Sequence, residues 1–297
     1  MESNKKLNKS GGRNELILRI ATGVPAFAVV FGLIAFARWE MLAIVLLVTI
    51  LFGLFEYHGL LSLIVDDANA IKSKTILLLG GVAVGSGAVF WGASGMSTAL
   101  VLMVFIAVIQ GFGPRMVDQP HRIDTQKALN ARIVVAGLTV FGWIWIPWFF
   151  GHTILLIQRP EGPHLLFWLI FVIVASDTLA FFSGKMFGRH KLHPSVSPGK
   201  TIEGSIGGVL GGMAGGYLAV HWLEVANGQL ELWFILVVSA ILAIVGQVGD
   251  LTESLIKRGA GVKDSGRFLP GHGGFLDRLD ALLLPPPFLY YFLEWYL

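Results

Sequence analysis

Apolar runs about 20 residues long recur along most of this 297-residue chain. A helix of that length crosses the ~30 Å hydrocarbon core of a bilayer. Nine such segments can be marked, at about 17–37, 41–60, 75–93, 97–113, 133–151, 164–184, 204–223, 232–251 and 281–297. In lipid, backbone polar groups must be satisfied within the spanning segment or within a closed barrel. The expected fold is therefore an all-α polytopic membrane protein with about nine transmembrane helices. Composition agrees: 55% of residues are hydrophobic, 14% are charged, and the mean hydropathy is +0.71. Soluble domains carry roughly a quarter charged residues. Cysteine is absent, which excludes disulfides, thiol nucleophiles and cysteine-ligated metals.

The basic residues are unevenly placed. With the N-terminus in the cytosol, all of the 22 Lys and Arg residues except Arg38 and Arg159 fall on the cytosolic side of this arrangement. That asymmetry predicts a cytosolic N-terminus and an external C-terminus. The first 19 residues are polar and basic, and the apolar run after them is too long for a secretory signal, so it reads as a retained first helix. Residues 1–160 form an N-terminal group of about five spans. Residues 161–297 form a C-terminal region with two cytosolic loops, 185–203 and 252–280. Pro285, Pro286 and Pro287 interrupt the last span.

Segment 204–223 carries Gly207, Gly208, Gly211, Gly212, Gly215 and Gly216 on one helical face, a pattern for close helix packing. The tryptophans gather near span ends, as interface anchors do. His58, His121, His152, His164 and His221 have no ligand-like spacing.

Chemistry concentrates in the last cytosolic loop, which holds acids, bases and a histidine in a chain otherwise poor in charge. If 250–258 continues the eighth span as a helix, Asp250, Glu253, Ser254 and Lys257 share one face. Asp277 and Asp280, three apart, share a face at the start of the ninth. Two acid-bearing helix ends joined by a glycine-rich turn suit a hard divalent cation. Magnesium fits best, since it takes a few carboxylates, water and substrate phosphate oxygens. Lys257, Arg258, Lys263 and the Gly273-Gly274 amides suit phosphates.

The preceding loop holds Ser197-Pro198-Gly199-Lys200-Thr201-Ile202-Glu203-Gly204. It resembles a fragment of a phosphate-binding loop but lacks the upstream glycine and strand. A turn entering a helix N-terminus remains an anion site, with Lys200 adding charge; the other reading is a helix-capping turn. Asp177 lies inside the sixth span, where a carboxylate is costly and so a functional candidate. Glu56, near the inner end of the second span, is a weaker candidate.

The run from Ser254 to Asp280 resembles the signature of the phosphatidate cytidylyltransferase (CDP-diacylglycerol synthase) family. It matches at Ser254, Lys257, Arg258, Lys263, Asp264, Gly266, Pro270, His272, Gly273, Gly274, Asp277, Arg278 and Asp280. Ser197, Pro198, Lys200, Thr201, Glu203 and Gly204, and Ser176-Asp177-Thr178, resemble its secondary motifs. Ile202 stands where many relatives have an aromatic residue, and the proline run is unusual.

The resemblance implies transfer of CMP from CTP to phosphatidic acid, giving CDP-diacylglycerol and pyrophosphate in phospholipid biosynthesis. Magnesium would serve as cofactor, with room for a second cation. It implies catalytic roles for Asp250, Asp277, Lys263 and Asp264, with Asp250, Asp277, Ser254 and Asp280 as metal ligands. Ser197, Lys200, Thr201, Glu203, Lys257, Arg258, His272, Gly273, Gly274, Arg278 and Asp177 would bind substrates. The expected partners are CTP, phosphatidic acid and the lipid bilayer, with no nucleic acid and a homodimer left open. Two other readings stand beside it. One is a CTP-dependent polyprenol- or phytol-type lipid kinase, which lacks the full signature. The other is a transporter, which would show a repeat symmetry that this chain does not have.

Overall fold

The computed structural model describes residue 25 and residues 28–65, 70–111, 125–225, 230–266 and 273–296. It is mostly helical. Helix α1 covers 28–36 and α2 runs Trp39–Ile64. Helix α3, Ala70–Gly111, is broken at Gly92, whose φ of 65° lies where a residue without a side chain is favoured. A Cβ on Gly87 would stand 2.8 Å from the Gly95 carbonyl oxygen. Residues eight apart in a straight helix are about 12 Å apart along the axis, so the chain reverses at Gly92 and its two arms meet. The expected spans 75–93 and 97–113 correspond to these arms.

Helix α4, Thr125–Trp143, passes into a π-helical stretch, Ile144–Phe150, and then α5, Gly151–Ile157. Pro147 lies inside that stretch and has no N–H to donate to a regular ladder. Helix α6, Gly162–Phe187, is followed by β1 (Lys191–His193) and β2 (Ser197–Thr201), then α7, Ile202–Trp222, and α8, Leu232–Gly259. A 3-10 turn, Leu276–Arg278, leads to α9, Asp280–Leu283, and α10, Pro286–Tyr296.

Among the described residues, five helices are long and apolar enough to cross a membrane: Trp39–Ile64, Lys74–Ile109, Asn130–Ile157, Gly162–Phe187 and Leu232–Gly259. The chain is a multi-pass membrane protein. Helix α7 is long enough, but its glycines dilute its hydropathy. Helix α10 has 11 residues, a rise of about 16 Å, roughly half of the hydrocarbon core. The proline run opens α10 rather than destroying it, because proline suits a first helical turn.

Helix α7 lies against α6 and α8 through its glycine face. A Cβ on Gly212 would come within 2.5 Å of Ala243 Cβ, and one on Gly216 would collide with Ser239 Oγ. Gln247 on α8 bridges the three helices, donating to Ser176 Oγ and the Ser205 carbonyl and accepting from Ser205 Oγ. Trp143, Trp145 and Trp168 are fully buried rather than interfacial. Their indoles fill the core, with Trp143 donating to the Leu77 carbonyl and Trp168 to Ser239.

Candidate active site

Helix α8 continues unbroken to Gly259, so Asp250, Glu253, Ser254 and Lys257 lie one turn apart along one face. Glu253 is wholly buried, and Lys257 Nζ sits 2.7 Å from its Oε2. The same Nζ lies 2.5 Å from Asp277 Oδ1, across from the 3-10 turn. Asp277 Oδ2 accepts the backbone N–H groups of Gly274 at 2.7 Å and Ser265 at 3.0 Å. Burial pushes the Asp277 carboxyl up, but Lys257 and these two amides outweigh it and hold it below the usual carboxylate range. Gly273 has a φ of 81°, and a Cβ there would press on Asp277 Oδ2 at 2.8 Å. The Gly-Gly step thus lets the loop backbone close onto the carboxylate.

The preceding loop folds as an antiparallel hairpin, pairing Lys191 with Thr201 and His193 with Ser197. An all-α expectation missed it. Thr201 Oγ1 accepts the Gly204 N–H, so Thr201 caps α7. Glu203 accepts the backbone N–H groups of Arg189 and His190 and pairs with His190 Nδ1 at 2.6 Å. His190 in particular holds the Glu203 carboxyl well below its ordinary range. Ser197 opens β2. From the same strand Lys200 reaches Asp250 Oδ2 at 2.6 Å. The two motif-bearing loops therefore share one end of the bundle.

Asp280 is packed against α8, where a Cβ on Gly249 would meet its carbonyl oxygen at 2.5 Å. Burial, then the negative charge of Asp250, push its carboxyl up to about 6. Ser254 Oγ lies 3.4 Å from Asp250 Oδ1. Asp177 is exposed and lies within electrostatic reach of Asp250 and Lys200.

Among the described residues no three acidic or histidine side chains converge as a metal cage. Asp250 and Asp277 each carry a lysine instead. The charge balance still fits a hard divalent cation. Asp250 and Asp280 lie within electrostatic reach of one another, Glu253 Oε1 is buried without a donor, and magnesium needs only one or two carboxylates besides water and phosphate oxygens.

Other expected residues lie elsewhere. Arg258 donates to the carbonyls of Val196 and Val262, tying the hairpin to the end of α8. Lys263 and Asp264 are exposed beyond α8, and a Cβ on Gly273 would stand 3.6 Å from Asp264 Oδ1 as well as 2.8 Å from Asp277 Oδ2, so Asp264 borders the loop around Asp277. Arg278 is among the residues that line an apolar cavity. His272 lies outside the described residues.

Glu56 carries more than its sequence position suggests. From α2 it accepts Ser265 Oγ and the backbone N–H groups of Phe275 and Leu276, all at 2.8 Å. Glu253 likewise completes the cluster, and its i, i+4 spacing to Lys257 was the available signal. Glu56→Ala leaves two amides and a hydroxyl without their acceptor. It is expected to cost about 2–4 kcal/mol and to raise amide exchange across 274–278. Unchanged exchange there would show that Glu56 does not anchor the loop.

A stretch of the chain is 45% identical over 131 residues to a protein named phosphatidate cytidylyltransferase from Staphylococcus haemolyticus, covering 44% of this chain and 49% of that one. A protein of the same name from Staphylococcus saprophyticus is 41% identical over 139 residues, 47% of this chain and 52% of its own length. The alignments thus span about half of these relatives. The model of the cytidylyltransferase family matches residues 17–296. Matched over nearly its whole length, the chain belongs to the cytidylyltransferase family.

Proposed function

We propose that this protein is a phosphatidate cytidylyltransferase, joining CMP from CTP to phosphatidate with release of pyrophosphate. The observation that carries this reading is the Lys200–Asp250 pair, which joins the Ser197–Gly204 motif to α8, the helix on which the Ser254–Asp280 motif begins. A phosphate oxygen of phosphatidate attacks the α-phosphorus of CTP, and the bond to the bridging oxygen of the β-phosphate breaks. Both reactants are anions, so the site must lower their repulsion and stabilise charge on the leaving pyrophosphate. Lys200 and Lys257, each now on a carboxylate, are the cations nearest to that task. Asp250 and Asp280, with Ser254 beside Asp250, would hold magnesium, and Asp277 would join them by exchanging Lys257. The bound metal would neutralise phosphate charge and orient the triphosphate. No protein nucleophile is required. Purified protein incubated with labelled CTP, phosphatidate and magnesium should yield pyrophosphate and a CMP-bearing lipid. Release of CDP with a singly phosphorylated lipid would identify a lipid kinase instead.

Lys200→Ala is expected to lower kcat/KM by about 10- to 150-fold, the loss of one charge-assisted hydrogen bond to phosphate. Thermal stability in detergent should barely move, because a part-exposed pair contributes about 1 kcal/mol or less. The substrate whose KM rises identifies the one that Lys200 faces. Intact kinetics would reduce the hairpin to a cap for α7.

The charge asymmetry supports nine crossings, a cytosolic N-terminus, an external C-terminus and a cytosolic active site. Ser195→Cys and Lys263→Cys, both exposed in a chain without other cysteines, should resist an impermeant thiol reagent in intact cells and react in opened vesicles. Labelling of either from outside would overturn the orientation.

A further inference from the structure

Helix α7 meets its neighbours through glycines, and a face without side chains brings backbones close without fixing their register. Gln247 supplies what that face lacks. It lies in the membrane-spanning stretch of α8, where a polar side chain is costly unless its groups are partnered. Its Nε2 donates to the Ser205 carbonyl of α7 at 3.1 Å and to Ser176 Oγ of α6 at 3.4 Å, while Oε1 accepts from Ser205 Oγ. The Ser205 carbonyl can only accept, so the amide has one orientation. A Cβ on Gly208 would stand 2.6 Å from Nε2, so the glycine face also leaves the room in which the amide sits.

Each of the three helices carries a site candidate within about one turn of this hub. Asp177 follows Ser176 on α6, and Asp250 comes one turn after Gln247 on α8. Ser205 lies one turn inside α7 from its cap, Thr201, which Lys200 precedes. Lys200 and Asp250 form the 2.6 Å pair between the two motifs, and Asp177 lies within electrostatic reach of both. We propose that Gln247 is a positioning residue: it pins the register of α6, α7 and α8 and so sets Lys200 against Asp250. Its effect on rate rests on the cytidylyltransferase reading above. A single polar side chain at a helix interface fixes register in coiled coils by the same means. Hydrogen bonds between membrane helices add little to stability, whereas a displacement of about 1 Å at a reacting group can cost about 100-fold in rate.

The test uses the purified full chain in phosphatidylcholine nanodiscs. Gln247→Met keeps the length of the side chain and removes all three hydrogen bonds. Spin labels go on Ile206→Cys of α7 and Leu255→Cys of α8, both exposed in a chain without other cysteines. Double electron–electron resonance should then give a wider distribution of distances with Gln247→Met than without it. In the unlabelled protein the same substitution should lower kcat/KM about tenfold or more, with the melting temperature nearly unchanged. Lys200→Ala added to it should cost less than about threefold further, because a lysine already out of place has little left to lose. An unchanged distribution, or a Lys200→Ala loss as large as in the wild type, would each overturn the pin. If Gln247→Met does not fold, Ser205→Ala removes one bond of the three and should move both readouts the same way; no movement in either would be as damaging. A widened distribution in a protein that forms no CMP-lipid would sink the proposed reaction and leave the pin standing. Turnover with an unchanged distribution would do the reverse.

Discussion

Asp250→Asn is expected to reduce turnover by about 10²- to 10³-fold or more, the scale of losing one charge-stabilising group in a phosphoryl-type transition state. Its fold should survive nearly intact. The substitution loses a part-exposed pair with Lys200 but also relieves the repulsion that burial and Asp250 together impose on Asp280. The two changes oppose each other, so thermal stability in detergent should shift little. Magnesium titration of turnover is the decisive measurement. Wild-type turnover at saturating magnesium would remove Asp250 from the metal assignment.

Asp277→Asn should lose turnover to a similar degree and, unlike Asp250→Asn, should also unfold more easily. Asp277 is 7% exposed and shares Lys257 with a wholly buried Glu253. Breaking a buried pair by removing one partner costs about 3–5 kcal/mol; the remaining Glu253 contact should keep the cost near the lower end, about 3 kcal/mol. Asparagine can still accept the Gly274 and Ser265 amides, so the loss is chiefly electrostatic. Combining it with Lys257→Met tests this, because neighbouring sites are non-additive. The double variant should lose less stability than the two single variants' losses added together, while remaining inactive. If Asp277→Asn unfolds like the wild type, the pair contributes nothing to the fold, and the carboxylate is free for other work.

Much of this arrangement was legible before any coordinates. The i, i+3 and i+4 spacing of Asp250, Glu253, Ser254 and Lys257 required only that α8 extend past the membrane, and it does. The glycine ladder of α7 forecast tight packing, because a missing Cβ has the same consequence in any helix. The break between the arms of α3 was placed at 94–96 and falls at Gly92, one turn away. The hairpin at Lys191–Thr201 was hidden because two strands of three and five residues show too few alternations to reveal a period of two. Glu56 was undervalued for a different reason. Its partners are mostly backbone amides more than 200 residues away, and amides leave no mark on composition.

The Glu56 tie also bears on how the protein is made. Glu56 enters the membrane when Ser265, its hydroxyl partner, is still 209 residues from being synthesised. At about 5–20 residues per second, that is a wait of roughly 10–40 s. During that interval the carboxylate must shelter at the bilayer surface, and the nascent bundle has no closed loop around Asp277. Competence therefore arrives with the final stretch of translation, and a ribosome that stalls early leaves a membrane-inserted fragment without a working site.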